Sequence, residues 1–202
     1  MARPRQFDED EVLRAVCDQF WDAGYTATSL QDLMRASNMG KGSLYAAFGG
    51  KRELFLRVLR RYIASLDRAL RRSFDSAPQA VEALRSFVTM PVGDPDGVAA
   101  RRGCLLANST TELATADPAV AAEARQAYEG VTAVLADGVR RAQAQGDLSA
   151  SADPVATARA LLAAQQGVTF MGRTGMDVGT LAATAHSLAD TILPATADGH
   201  GS

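Results

Sequence analysis

The stretch between Asp117-Pro118 and Gly146 constrains the fold more than any other part of the chain. Val120, Ala124, Tyr128, Val131, Leu135, Val139 and Ala142 fall on one helical stripe with no breaker between them. Asp117 and Pro118 have the character of a cap and first turn, and Gly146 ends the run. At 1.5 Å per residue such a helix spans about 40 Å, a scaffold-length element. Pro78 after Ser76-Ala77 and Pro154 after Asp153 read as further helix starts of the same kind. No alternating apolar run bounded by turn signals points to a sheet, and no internal repeat is present. The expectation is an all-α chain of about nine helices.

The N-terminal region is cut into shorter pieces. Phe7-Asp8-Glu9-Asp10-Glu11-Val12 reads as a helix start, with Asp8 capping the amide of Glu11, Glu11 reaching back, and Phe7 stapled onto Val12. Val12, Leu13, Val16 and Phe20 continue it to Gly24, so helix one covers roughly 9 to 23. Thr28-Ser29 followed by Asp32 begins a short helix that turns Leu30, Leu33 and Met34 inward. Asn38-Met39-Gly40 interrupts it, a third helix carries Leu44 and Phe48 inward, and Gly49-Gly50 stops that one. From Lys51, Leu54, Phe55, Val58, Leu59, Tyr62, Leu66 and Leu70 make a stripe of about six turns. The breaker-rich segment from Val92 to Gly97 reads as a loop, and Gly199 to Ser202 as a frayed tail.

Charge separates these regions more sharply than the net value of −2 suggests. Between positions 35 and 72 there are ten Lys or Arg residues against Glu53 and Asp67 alone, an excess suited to a polyanion or to a solvated basic helix face. From position 73 onward acidic residues predominate. The 202 residues are enough for one large or two small domains with a core that needs no staples. Cys17 and Cys104 lack a metal or disulfide spacing and fit reduced thiols. The uncharged run from Ala160 to Gly172 is short of the ~20 residues of a membrane helix. The start Met-Ala-Arg-Pro-Arg leads into acidic residues instead of an apolar segment, so a cytoplasmic location is expected.

Thr28 to Ala36 and Lys41 to Phe48, joined by a tight turn, have the anatomy of a helix-turn-helix, although any three-helix bundle contains two helices and a turn. At the entering end of the second helix, Lys41, Gly42, Ser43 and Tyr45 offer a cation, a closely approachable backbone, a hydroxyl and a phenol. Thr28, Ser29 and Gln31 open the preceding helix, where free amides favour a phosphate, and Lys51 repeats that arrangement on the next. Arg3 and Arg5 can form an arm along the DNA. Gly24-Tyr25-Thr26-Ala27-Thr28-Ser29-Leu30-Gln31-Asp32-Leu33, continuing as Met39 to Phe48 and Lys51 to Phe55, resembles the tetracycline-repressor (TetR) family of bacterial regulators over about residues 7 to 60. The resemblance implies a homodimer with an N-terminal DNA-binding domain and a C-terminal all-α domain that binds a small molecule and dimerises. It carries DNA contact onto Ser29, Gln31, Lys41, Gly42, Ser43, Tyr45 and Lys51. Ala46 and Ala47 depart from the family pattern where larger side chains often reach bases. Arg102-Gly103-Cys104-Leu105-Leu106-Ala107-Asn108 is similar to a subgroup with a Gly-Cys-Leu-Leu helix, which names no ligand.

The expected division is a DNA-binding domain at 1–50, a helical ligand-binding and dimerisation domain at 51–197, and a tail at 198–202. Two C-terminal helices, Pro154 to Gly172 and Asp177 to Leu193, carry long uncharged faces. Val155, Leu161, Leu162, Val168, Phe170 and Met171 lie on the first, and Val178, Leu181, Leu188, Ile192 and Leu193 on the second. Ala156, Ala160, Ala163, Ala164 and Gly167 would allow close approach, so a four-helix interface between two copies competes with burial inside one chain. Phe87, Met90, Cys104, Leu105, Asn108, Tyr128, Phe170 and Met171 can line an effector cavity or simply pack. Met39-Gly40-Lys41-Gly42-Ser43 fails as a phosphate loop, because Gly follows the Lys. His186 and His200 lack partners at metal spacing, and no catalytic constellation stands out. The sequence reads as a ligand-responsive DNA-binding repressor that uses no cofactor. The alternative is an all-α carrier or enzyme with a vestigial DNA-binding domain.

Overall fold

Local caps set the first helices. In a computed structural model, which describes residues 7–194, Asp8 accepts hydrogen bonds from the amides of Asp10 and Glu11 and starts α1, Glu9–Ala23. The Phe7 ring lies 5.9 Å from that of Phe48. Gly24, at φ 81°, ends α1 in a conformation that L side chains rarely adopt. Ser29 and Asp32 form a reciprocal capping box at the head of α2, Leu30–Ser37. The turn that follows is made by Asn38 in the left-handed region, whereas Gly40 is extended and serves as the N-cap of α3, Lys41–Phe48. Long helix α4 follows as Lys51–Ser76. Arg3, Arg5, His200 and the expected tail at 198–202 lie outside the described residues.

Helix α5 is Ala80–Thr89, and its start corrects the expectation for Pro78. Pro78 stands outside the helix because no acid or hydroxyl precedes it directly as Asp117 and Asp153 precede their prolines. Gln145 supplies the cap from 65 residues away, its carbonyl accepting the Ala80 amide at 2.9 Å and its amide donating to the Pro78 carbonyl at 2.8 Å. A 3-10 turn at Met90–Val92 leads to α6, Val98–Arg102, a five-residue helix that begins directly after the Val92–Gly97 segment read as loop. The Asp94 carboxylate organises it by accepting the amides of Asp96 and Ala99. Then come α7, Leu105–Leu113; α8, Pro118–Gln145; α9, Pro154–Gly172; and α10, Val178–Ile192. No strand occurs among the described residues.

The chain divides into two compact units. The first comprises residues up to Ser65 with Leu105–Ala124, and the second Leu66–Cys104 with the chain from Arg125 onward. In the first, Val16, Phe20, Leu33, Leu44, Leu54, Phe55 and Leu59 are buried, with the Phe20 and Phe55 rings edge to face at 5.1 Å. In the second, Leu84, Val88, Leu135, Val139, Leu161 and Leu193 form the main core. Ala100, Val168, Leu181 and Ala185 form a smaller cluster.

Burial in the second unit narrows the expected interface to part of the residues named for it. Leu161, Val168, Leu181 and Leu193 are at most 1% exposed within one chain and offer nothing to a second copy. The outward side of α9 is instead Ala156, Ala160, Ala163 and Gly167, ending in Phe170 at 69% exposure. That spacing places small residues and one large ring on a single helical face.

Candidate nucleic-acid interface

Helix α3 is held by two of its eight residues. Leu44 and Phe48, one turn apart, are 3% and 6% exposed, which turns Lys41, Gly42, Ser43 and Tyr45 outward. Its N-cap Gly40 makes no side-chain hydrogen bond, and its first turn holds no acid. The positive end of the helix dipole is therefore reinforced by Lys41, whose ammonium lies 5.9 Å from the centroid of the Tyr45 ring. A Cβ added at Gly42 would meet no atom of the chain within 4 Å.

Helix α2 presents less than the sequence suggested. Ser29 is exposed, but its hydroxyl is within bonding distance of Asp32, and the Asp32 carboxylate also accepts the Ser29 amide at 2.9 Å. The hydrogen bond from the Ser29 hydroxyl, then that from its amide, hold the Asp32 carboxyl below the usual range, and Arg35 adds to the effect. A negative group thus occupies the end of α2 where free amides were expected. Thr28 is 1% exposed and donates its hydroxyl to the Gly24 carbonyl at 2.6 Å, so it shapes the turn instead of facing outward. Gln31 is exposed on the first turn. Lys51 opens α4 with its ammonium 4.3 Å from the centroid of Tyr25.

The basic run from 35 to 72 is largely a set of internal ion pairs. Arg35 meets Asp32, Arg57 meets Glu9, Arg61 meets Asp10 and Arg71 meets Asp67. Arg52 is bound bidentately by Asp117 at 2.7 and 2.8 Å, and Arg60 by Glu123 at 2.6 Å. The Arg52 guanidinium holds the Asp117 carboxyl below its ordinary range. Exposed pairs of this kind contribute about 0–1 kcal/mol each, but they remove most of the positive field that the count implied. Within the first unit, the basic character of this run is thereby concentrated at Lys41 and Lys51, while Arg68 and Arg72 are exposed in the second.

Local sequence gives no sign of the acids that organise this unit from α7 and the head of α8. Glu112 accepts the amides of Tyr25 at 3.0 Å and Thr26 at 2.7 Å. Burial pushes its carboxyl up, and the hydrogen bonds from Thr26 and Tyr25 more than reverse that, so its pKa is lowered.

The expected effector residues differ in burial. In the second unit Phe87 is packed in the main core, Met90 and Phe170 are exposed at 57% and 69%, and Met171 packs against the smaller cluster. Cys104 and Tyr128 are half-buried there, whereas Asn108, also half-buried, belongs to the first unit. A cavity of about 160 Å³ in the second unit is lined by Arg71, Phe74, Asp75, Val134, Asp137, Gly138 and Arg141, none of them anticipated. The buried polar side chains of α9, Gln165 and Thr169, were not anticipated either.

Comparison with known proteins assigns the two halves consistently. Residues 12–58 match the model of bacterial regulatory proteins of the tetR family, and residues 80–188 match the tetracyclin repressor-like C-terminal domain. The HTH-type transcriptional repressor ComR of Escherichia coli K12 is 30% identical over 182 residues, covering 89% of this chain and 86% of the relative. A TetR-family regulator structure from Cytophaga hutchinsonii superposes with a TM-score of 0.84 at 22% identity, covering 94% of each chain, and so agrees in fold. A cysteine mutant of the TetR-family regulator CifR, solved with a 26-base-pair operator duplex, gives a TM-score of 0.77 at 29% identity, covering 93% of this chain and 98% of that one. With both domain models matched in order, this chain belongs to the tetracycline-repressor family of DNA-binding transcriptional regulators.

Proposed function

We propose that the chain is a cytoplasmic repressor that binds a palindromic operator as a homodimer, inserts α3 into the major groove, and is released by a small molecule acting on its helical C-terminal part. The observation that carries this reading is the outward side of α3: Lys41, Gly42, Ser43 and Tyr45 on a helix whose opposite side is locked into the core. Lys41 and Lys51 bind phosphates, Ser43 and Tyr45 reach base edges or backbone oxygens, Gly42 allows close approach, and Ser29 and Gln31 flank the contact. The operator-bound CifR structure supports the DNA half. The functional division remains 1–50 for DNA and 51–197 for ligand and dimer. The small-residue face of α9 with exposed Phe170 supports pairing of two copies. Two-fold symmetry then sets half-sites about 34 to 36 Å apart, or a multiple of a helical turn. For the effector, Cys104, Tyr128 and Met171 are the favoured contacts, being neither fully packed nor on the open surface. The chain carries out no catalysis in this reading, and no described helix is long and apolar enough to cross a membrane.

The test is a footprint of the purified dimer on the DNA directly upstream of its own gene at two salt concentrations. A protected palindrome whose affinity falls steeply with salt is expected. Lys41→Ala and Tyr45→Ala should each weaken binding roughly tenfold with unchanged melting, in the range of a lost charge-assisted or base contact. Full affinity in both variants would remove α3 as the reading helix.

A further inference from the structure

We propose that Glu112 is a positioning residue for DNA binding, acting through Tyr25 on Lys51; this rests on the reading of Lys51 as a phosphate contact. Glu112 lies 86 residues beyond Thr26 in the chain, yet its two carboxylate oxygens accept the consecutive amides of Tyr25 and Thr26 at 3.0 and 2.7 Å. The carboxylate is pressed against the turn before α2, since a Cβ added at Gly24 would lie 3.1 Å from its oxygen. Those bonds fix the backbone of Tyr25. Its ring is fixed in turn by Phe55, with centroids 4.9 Å apart, and by Phe20 at 6.1 Å. On that ring sits the Lys51 ammonium, 4.3 Å from the centroid.

The neighbouring cation shows why Lys51 is distinctive. Arg52 follows it on the first turn of α4 and is held by Asp117 in a bidentate pair. Two adjacent cations thus have different fates: one is neutralised by a carboxylate, and the other is oriented by an aromatic face that leaves its charge available. Lysine is a flexible point charge with many rotamers, so a ring that restricts it lowers the ordering it must undergo at a phosphate. Glu112 fixes the ring and also attracts Lys51 at longer range.

A double-mutant cycle tests this, using a mixed-sequence duplex at low salt as the probe because a phosphate contact is indifferent to sequence. Glu112→Gln keeps the side-chain shape but turns an NH2 group toward one of the two amides. Lys51→Ala should weaken binding roughly tenfold and lower the log-log salt slope by about one. Glu112→Gln should produce a smaller loss in the same direction, and the double variant should bind no more weakly than Lys51→Ala alone. Paired with Lys41→Ala, the Glu112→Gln effect should multiply in full. If Glu112→Gln fails to melt cooperatively, Tyr25→Leu replaces it in the cycle, removing the ring while keeping an apolar side chain. Multiplicative effects with Lys51→Ala, or an intact salt slope beside a lowered one for Lys51→Ala, overturn the proposal while leaving the DNA reading in place. Unchanged affinity and slope in Lys51→Ala itself would overturn the phosphate contact on which both rest.

Discussion

Helices α2 and α3 are eight residues each, lie in succession, and are finished in opposite ways. The head of α2 is closed by reciprocal bonds between Ser29 and Asp32, and the carboxylate opposes its dipole. The head of α3 has a glycine cap, no acid in its first turn and Lys41 beside it. Both are anchored from below, α2 by Leu33 at 0% exposure and α3 by Leu44 at 3%. The difference separates two tasks within one motif. A helix whose head is closed by a capping box orients the motif, and a helix whose head has no side-chain cap is left to meet an anion.

The comparison breaks most severely if the anchoring is removed. Leu44→Ala empties a packed position and is expected to destabilise the chain by about 2–5 kcal/mol, read in urea unfolding, with DNA binding lost as a consequence. A loss under about 1 kcal/mol would mean that α3 is not locked and that its outward side has no fixed orientation.

The next test separates the two helix heads by pH. Ser29→Ala should cost about 1 kcal/mol of stability at neutral pH as a lost cap. Asp32 has its carboxyl lowered, first by the Ser29 hydroxyl. Its contribution is therefore present above the carboxyl pKa of the unfolded chain and disappears as pH falls through the lower folded value. Subtracting the variant's melting curve from that of the parent between pH 7 and 3 should leave a difference that shrinks toward acid. The carboxyls of Asp94, Glu112, Asp117 and Asp153 are also lowered and cancel in the subtraction. A pH-independent difference would show that the capping box does not close α2.

What the sequence made legible follows the same division between local and distant causes. Asp8, Ser29, Asp153 and Asp177 cap helices through amides two or three residues away, so the starts of α1, α2, α9 and α10 could be read directly. Pro78 misled because the cap of α5 is the side chain of Gln145, from another helix. The positive run of α4 misled for the same reason. Glu9, Asp10, Asp117 and Glu123 neutralise Arg57, Arg61, Arg52 and Arg60 from 48 to 65 positions away, and no window of sequence contains both partners. The outward residues of α3 were readable because their orientation depends only on Leu44 and Phe48. For the effector residues, helix periodicity identifies an inward face without saying what it meets. Phe87 packs in a core, whereas Phe170 lies open.

The smallest expected effect is the most discriminating, because stability and function should move in opposite directions. Gly42 lies in the first turn of α3 at a helical position where glycine is less stable than alanine by roughly 0.5–1 kcal/mol. An added Cβ would meet nothing within the chain, so internal packing gives no reason for glycine there. Gly42→Ala should therefore raise stability by about that amount in urea unfolding. The same methyl group projects from the exposed side of α3, where the backbone is read as approaching DNA, and should weaken operator binding. Increased stability with full affinity would leave Lys41, Ser43 and Tyr45 as the contacting groups but show that the backbone of α3 stays clear of the duplex. Decreased stability would mean that α3 in solution does not hold the helical geometry on which its outward side depends.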